Sequence, residues 1–533
     1  MKKYFFLDDE HVELDEKVER IFHEPVKHGR PILAPETEVE GDGLQLWNEP
    51  LPAKDGQPWR MWYRGTGGNT HPVLYAESDD GVNWRRPDLN LVEYAGNRRN
   101  NIVDTGLRVN GTYNNLVMAP NPTWDGVSDR RYSALTFCPK WNGDAKIPYG
   151  LISLSSKDGF HWRVLSDHSF ITSSDEYQLA ADKEKGVLIA TMKLYGHSMN
   201  IPLSVPEYGR QVGLVTSTDG GVTWTEAEFI LHADSADRKA GAETIARHAA
   251  NLDFRSPFNI NPEHSWTDVY NMPVFPYYGT YIGLPTLFHH SGYWVACANS
   301  ANQDGLAWPT LAWSKNLKHW ERPLQRKPFI PLSPCTDKDI YDCGGIYHCR
   351  PVQRDGELWF YYNGCRGTHY SLPEKTDLDY ANEKQQTAIF LARLRLDGFA
   401  SMRAGERKGA VLTKPIVVEG AELHVNARTV NGEILAEIRD AESGRVIPGF
   451  GLGDYLASRN ISFARDGERT RLAGLGTRRY DEQVENEAVA FRGDQVDAVM
   501  AWSAGKDLSS LKGRKVRILF ALRNADIYSF WFN

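Results

Sequence analysis

Four acidic residues stand where acid–base chemistry could be assembled. Asp268 lies in Thr267-Asp268-Val269-Tyr270-Asn271, and Asp175 lies two residues ahead of Tyr177-Gln178-Leu179. Asp342 lies in Tyr341-Asp342-Cys343-Gly344-Gly345, and Glu40 precedes Gly41-Asp42-Gly43-Leu44. Each opens a strand-like run, so carboxyl groups from separate strands could converge on one point. Carboxyl groups in unlike surroundings can divide the work of general acid and general base. The same residue types also cap turns, which is the plainer reading of any one of them. Asp268 has the stronger claim, because Asp268 and Tyr270, two apart on a strand, share a face.

Other side chains could complete a binding site around such acids. Arg64, Arg350 and Arg366 carry forked donors that suit a carboxylate, sulfate or phosphate, and His348 could join them. Asn115, beside Asn114, could bond a hydroxyl. Trp47 and Tyr270 offer flat apolar faces on which a sugar ring could stack, as does Trp308. For each of these, an ion pair or core packing is the alternative.

The elements that must position these residues are announced by a recurring pattern, Ser-x-Asp-Gly-x-x-Trp. It occurs at Ser78–Trp84 and Ser156–Trp162, with one extra residue at Ser217–Trp224, and in degenerate form at Ser314–Trp320, where Asn316 replaces Asp and no Gly is present. Ser and Asp can bond the backbone of a tight turn, and Gly accepts positive φ. Apolar runs precede each copy and Trp follows, so each reads as a hairpin between two strands of a repeating blade.

The chain has 533 residues, with 41% hydrophobic, 11% aromatic and 24% charged, a range that fits a globular protein of more than one domain. The formal charge of −8 argues against a nucleic-acid partner. No apolar run approaches a membrane span of about 20 residues, and the apolar stretch after Met1 is short for a signal peptide. Cys335, Cys343, Cys349 and Cys365 lie close together without a C-x-x-C pair, so free thiols are expected rather than a zinc site. A cytoplasmic location follows, or a periplasmic or secreted one if a leader has been removed.

The expected fold is all-β, a five-bladed β-propeller followed by a C-terminal β-sandwich. Residues 1–30 are expected to wrap the outside, 31–402 to form the propeller, and 403–533 to form the sandwich. Residues 231–265 interrupt the blades with an Ala-rich helical run near Gly241 to Ala250, an insertion of the kind that overhangs a central pocket.

This order of parts resembles the fructosidase and arabinosidase superfamily of glycoside hydrolases, families 32, 43, 62 and 68, with family 130 phosphorylases nearby. The hairpins, the run Trp59-Arg60-Met61-Trp62-Tyr63-Arg64 and the closure Arg395-Leu396-Asp397-Gly398-Phe399 carry the resemblance. The Trp-Met-Asn-Asp-Pro, Arg-Asp-Pro and Glu-Cys motifs of true fructosidases are absent, so no catalytic carboxylate transfers by motif. The resemblance implies a glycoside hydrolase that removes a terminal, furanosidic sugar of an oligosaccharide, with two of Asp268, Asp175, Asp342 and Glu40 as the acid and base. A phosphorylase using Arg350, Arg366 and His348 for phosphate, and a non-catalytic sugar-binding propeller, are the alternatives. No cofactor or metal is expected; some relatives hold calcium, but no ligand motif supports one here.

Overall fold

A computed structural model describes residues 2–66, 71–106, 116–138, 150–165, 169–171, 174–195, 209–250, 265–297, 300–334, 340, 342–369, 387–453, 460–466, 469–476 and 485–533. These residues fall into two units. One comprises 24–354 and 358–393, the other 1–23, 355–357 and 394–533. The N-terminal residues therefore belong with the C-terminal part of the chain, where the sequence suggested a separate wrap of 1–30.

The larger unit is a propeller-like ring of sheets. Its first sheet is the meander Leu44–Leu46, Trp59–Gly65, Val73–Ser78 and Trp84–Arg85. The second is Val117–Pro120, Tyr132–Cys138, Gly150–Ser156 and Arg163–Val164. The third is Tyr177–Asp182, Val187–Tyr195, Arg210–Ser217 and Glu228–Leu231. Apolar side chains fill each space between neighbours. Trp62 and Tyr75 pack with Tyr132, Leu154 and Trp162; Val117 and Leu135 pack with Tyr177, Leu179 and Met192. Ile189 and Leu214 meet Val269 and Leu287, while Leu46 and Tyr63 meet Tyr361 and Ile389, which returns the ring to its first sheet.

Among the described residues four blade sheets form this ring, where five were expected. The last is a seven-stranded sheet of Trp266–Asn271, Thr286–Cys297, Ser300–Pro309, Gly345–Arg354, Glu357–Cys365, Thr387–Arg395 and Val26–Lys27. A parallel pairing of Ala307 with Gly345 joins what the sequence presents as a fourth and a fifth unit. Three of its chain segments continue into a small sheet, Val274–Tyr277, Thr280–Gly283 and Ala312–Ser314. The breaks fall beside Pro273, Pro285 and Pro309, as suits a residue that donates no ladder hydrogen bond. The strand Val26–Lys27 comes from the start of the unit and pairs with Ala392 and Arg393 from its end, so the ring is closed by hydrogen bonds between its two ends.

The recurring motif builds the same turn each time. Ser78 Oγ donates to Asp80 and accepts from the backbone N–H groups of Asp80 and Gly81, and Asp80 Oδ1 accepts from those of Val82 and Asn83. The copies at Ser156–Asp158 and Ser217–Asp219 repeat this arrangement. Gly81 and Gly159 have φ of +78° and +85°, and in the degenerate copy Leu317 takes that conformation at +67°. The inserted helix spans Ser235–Ala250. Its Gly241 lies so close to His289 and Thr267 that a Cβ there would collide with both.

The smaller unit is built on a curled ten-stranded sheet where a sandwich was expected, and it also holds a separate two-stranded sheet of Asn460–Asp466 and Arg469–Gly476. Its axis is the 18-residue strand Lys515–Phe532, which pairs with Tyr4–Phe5, Ala400–Ala404, Gly409–Thr413, Ile416–Val417 and Leu423–Asp440. Phe6, Val425, Ile434, Phe520 and Phe530 are among its buried core residues.

Candidate active site

A cavity of about 160 Å³ opens among the blade sheets of the larger unit. Its wall is drawn from several of them: Gln45 and Trp47 from the first, Glu176 from the third, and Tyr270, Tyr347, Asn363 and Cys365 from the seven-stranded sheet, with His369 beside them. Inward-facing residues at the ends of separate strands can converge only because the sheets are arranged radially.

Glu176 is the carboxyl group among the described residues lining this cavity. It extends the register of the strand Tyr177–Asp182: Lys193 N donates to its carbonyl at 2.8 Å, continuing the pairing of Tyr177 with Met192. Side chains alternate along a strand. Tyr177 and Leu179 go into the core between the second and third sheets, and Glu176 goes to the opposite side. Burial raises the pKa of Glu176 to about 7, helped by the charge of Asp175 and opposed by Lys193 and by hydrogen bonds from Asn271 and Tyr270. Near neutral pH this carboxyl group therefore still holds a proton it can give.

Asp175 turns outward instead. Its side chain is exposed, and Lys193 Nζ lies 2.8 Å from its Oδ1. Burial would raise its pKa, but Lys193 outweighs this and keeps Asp175 below the usual carboxylate range. The same lysine ammonium lies 4.8 Å from the centre of the Tyr270 ring.

Tyr270 connects the site's polar groups. Its hydroxyl lies 3.0 Å from His369 Nε2, and its ring is 5.2 Å from that of Tyr347. Burial holds His369 neutral, well below the ordinary histidine value. Two residues back, Asp268 is buried and does not line the cavity. His290 Nε2 is 3.1 Å from its Oδ2, and the backbone N–H of Arg210 donates to the same oxygen at 3.2 Å. Burial acts to raise its pKa; His290 and Arg210 prevail and lower it to about 2. The Arg210 guanidinium spans the group, 3.8 Å from Asp268 Oδ1 and 5.3 Å from the Tyr270 ring centre. Glu176, which lines the cavity, thus favours the proton, whereas Asp268, which does not line it, is held ionised.

No family model matches the sequence, and no curated protein matches it. Solved structures with some likeness include an N-acetylgalactosamine deacetylase from F. plautii in complex with blood group B trisaccharide. It has 14% identity and a TM-score of 0.39, over 71% of this chain and 96% of that one. A Bombyx mori GH32 beta-fructofuranosidase has 11% identity and a TM-score of 0.34, over 94% of this chain and 93% of that one. An alpha-L-arabinofuranosidase from Podospora anserina in complex with cellotriose has 8% identity and a TM-score of 0.36, over 69% of this chain and 95% of that one.

The remaining sequence candidates are dispersed. Glu40 is fully buried and does not line the cavity; Arg86 Nε donates to it at 2.6 Å, Tyr63 Oη at 2.7 Å and the backbone N–H of Glu36 at 2.8 Å. That set of donors, working against burial, holds its pKa down. Asp342 is likewise buried and occupied, by Lys27 Nζ at 2.6 Å and Tyr362 Oη at 2.9 Å, and does not line the cavity. Neither Glu40 nor Asp342 lines the cavity, and the donors described at both come from the fold itself.

Arg350 is buried in an ion pair with Glu49 at 2.8 Å and donates to the carbonyls of Leu179 and Trp47. It does not line the cavity, and its bond to the Trp47 carbonyl braces a residue that does. Trp47 lines the cavity, 5.8 Å from the Tyr177 ring. Trp308 is buried, stacked on His289 at 3.9 Å. Arg64 lies beside the cavity and donates to Gln45 at 2.9 Å. Arg366 adjoins the lining residues Cys365 and Gly367. Asn115 and the side chain of His348 lie outside the described residues. Sequence reasoning passed over Glu176 for its neighbour and missed Lys193, Arg210, Asn363 and His369 altogether. No group of three His, Cys, Asp or Glu residues that could hold a metal ion occurs among the described residues.

Proposed function

We propose that this protein cleaves glycosidic bonds, with Glu176 as the general acid. The observation that carries the reading is the buried Glu176 carboxyl in a cavity lined by aromatic and amide side chains, its pKa raised to about 7. A carboxylic acid that keeps its proton near neutral pH can protonate the leaving oxygen as the bond breaks. Tyr270 and Asn271 bond to it and fix its direction. Trp47, Tyr270 and Tyr347 supply apolar faces, and Gln45 and Thr66 supply groups that pair with hydroxyls.

Glycoside hydrolysis calls for a second, ionised carboxylate. Asp268 fits that requirement in charge, and it shares a strand with Tyr270. A cavity of about 160 Å³ supports removal of one terminal sugar from an oligosaccharide. A furanosidic ring is carried over from the resemblance alone.

The test is a panel of nitrophenyl glycosides and oligosaccharides offered to the wild type, Glu176→Gln and Asp268→Asn. Glu176→Gln should lose at least a hundredfold in kcat on substrates with a poor leaving group while its melting temperature does not fall. Asp268→Asn should lose a comparable factor. Full turnover by Glu176→Gln, or no cleavage of any glycoside by the wild type, would remove this reading.

A further inference from the structure

Among the described residues, three cations near the site come with carboxylate partners. Lys193 has Asp175 at 2.8 Å, Arg210 has Asp268 at 3.8 Å, and Arg350 has Glu49 at 2.8 Å. Arg64 is half-buried and forms no ion pair among the described residues. Its Nη1 donates to Gln45 Oε1 at 2.9 Å, and its Nε is buried with no acceptor. Burial lowers its pKa, with Tyr177 and Glu176 as its acidic neighbours, and Glu176 is the group that favours its neutral form at about 7. A guanidinium drawn out of water without a counter-ion is costly for the empty protein.

Arg64 does not itself line the cavity, but its position places it next to residues that do. Arg64 is the register partner of Gln45 across the first sheet and stands two residues before Thr66, and both Gln45 and Thr66 line the wall. The Nε–Nη2 edge is a planar fork that matches two oxygens of one anion.

We infer that Arg64 receives an oxyanion that enters the cavity with the substrate: the carboxylate of an acidic sugar, or inorganic phosphate as a co-substrate. The inference rests on the glycoside-cleaving reading for the sugar, but not for the anion. An acidic sugar would set its carboxylate on Arg64 and leave its glycosidic oxygen for Glu176. Phosphate held there would instead take the place of water as the attacking group: a phosphate oxygen bonds to the anomeric carbon, the bond to the leaving oxygen breaks, and Glu176 gives that oxygen its proton.

Binding decides the matter without relying on turnover. Glucuronate, galacturonate, glucose, galactose and inorganic phosphate are titrated into the full chain, the wild type against Arg64→Gln and Arg64→Lys, with calorimetry and thermal shift as readouts. One anion should bind the wild type and raise its melting temperature. Its affinity should fall at least tenfold in Arg64→Gln and recover in part in Arg64→Lys, with neutral sugars indifferent to both. Dependence for a uronate assigns the anion to the sugar, and dependence for phosphate assigns it to the co-substrate. Equal anion affinity in the wild type and Arg64→Gln, or no anion bound by the wild type, overturns the inference. Should Arg64→Gln not fold, Arg64→Lys and the anion dependence of the wild type's melting temperature still decide it. Anion binding that survives in Glu176→Gln while no glycoside is cleaved by the wild type would sink the hydrolytic reading and leave this one standing.

Discussion

Lys193 Nζ lies 2.8 Å from Asp175 Oδ1, and both charges act on the neighbouring Glu176, whose pKa is raised chiefly by burial. Lysine and aspartate act on Glu176 in opposite directions, the first lowering its pKa and the second raising it. Lys193→Met should therefore move the alkaline limb of the pH–rate profile above its position near pH 7, and Asp175→Asn should move it below. Each displacement should be about one pH unit, of the order expected when one charge is removed close to a buried group. Displacement in the same direction by both variants, read from kcat/KM against pH, would show that another group controls the limb.

The same raised pKa makes a prediction about stability. Glu176 holds a proton in the folded protein up to about pH 7, whereas in the unfolded chain it loses it near the ordinary value of 4.5. Its neutral form is the one the fold accepts. The contribution is therefore fully present below pH 4.5 and is lost as pH rises through about 7. A shift of this size corresponds to roughly 3 kcal/mol. Glu176→Gln cannot ionise, so at pH 8 it should melt above the wild type, and at pH 4 the two should converge. Parallel melting curves across that range would show that Glu176 titrates in the folded protein as it does in the unfolded chain.

The motif's hairpins were legible because their physics is local: a Ser hydroxyl and a carboxylate close a turn within six or seven residues. The number of separate sheets was not, since it depends on Ala307 meeting Gly345, a pairing that no turn signal announces. The site shows the same limit. Asp175 and Glu176 are adjacent acids ahead of one strand, and only the register with Lys193 decides which faces inward. Alternation from Tyr177 and Leu179, both apolar, was the available signal for Glu176. His369 follows the end of its strand and had none. Glu40 and Asp342 were chosen for their position at strand starts, but position does not reveal that Arg86 and Lys27 already occupy them.

Those two acids separate structural from catalytic carboxylates. Glu40→Gln leaves Arg86 with a buried neutral partner, and Asp342→Asn does the same to Lys27. Breaking a buried pair from one side costs about 3–5 kcal/mol. Both variants should melt several degrees lower yet keep kcat within a few-fold of the wild type at a temperature where they are folded. A hundredfold loss of kcat in either, with the melting temperature unchanged, would return that residue to the chemistry.

The hairpins themselves can be tested by comparing two glycines with nearly the same backbone. Gly159 has φ of +85° and Gly96 has φ of +82°. A Cβ at Gly96 meets nothing within 4 Å, whereas at Gly159 it comes within 2.7 Å of the Trp62 ring. That ring is fixed, because Trp62 Nε1 donates to the Gly159 carbonyl at 2.9 Å and its faces are packed between the first two sheets. Gly96→Ala should cost only the left-handed backbone penalty, about 1–2 kcal/mol. Gly159→Ala adds a clash against a ring with nowhere to go, for a further cost of about 1–3 kcal/mol. Denaturant melts of the two variants should therefore differ by the packing term alone. Equal destabilisation would mean that the contact of Gly159 with Trp62 does not hold the first and second sheets together.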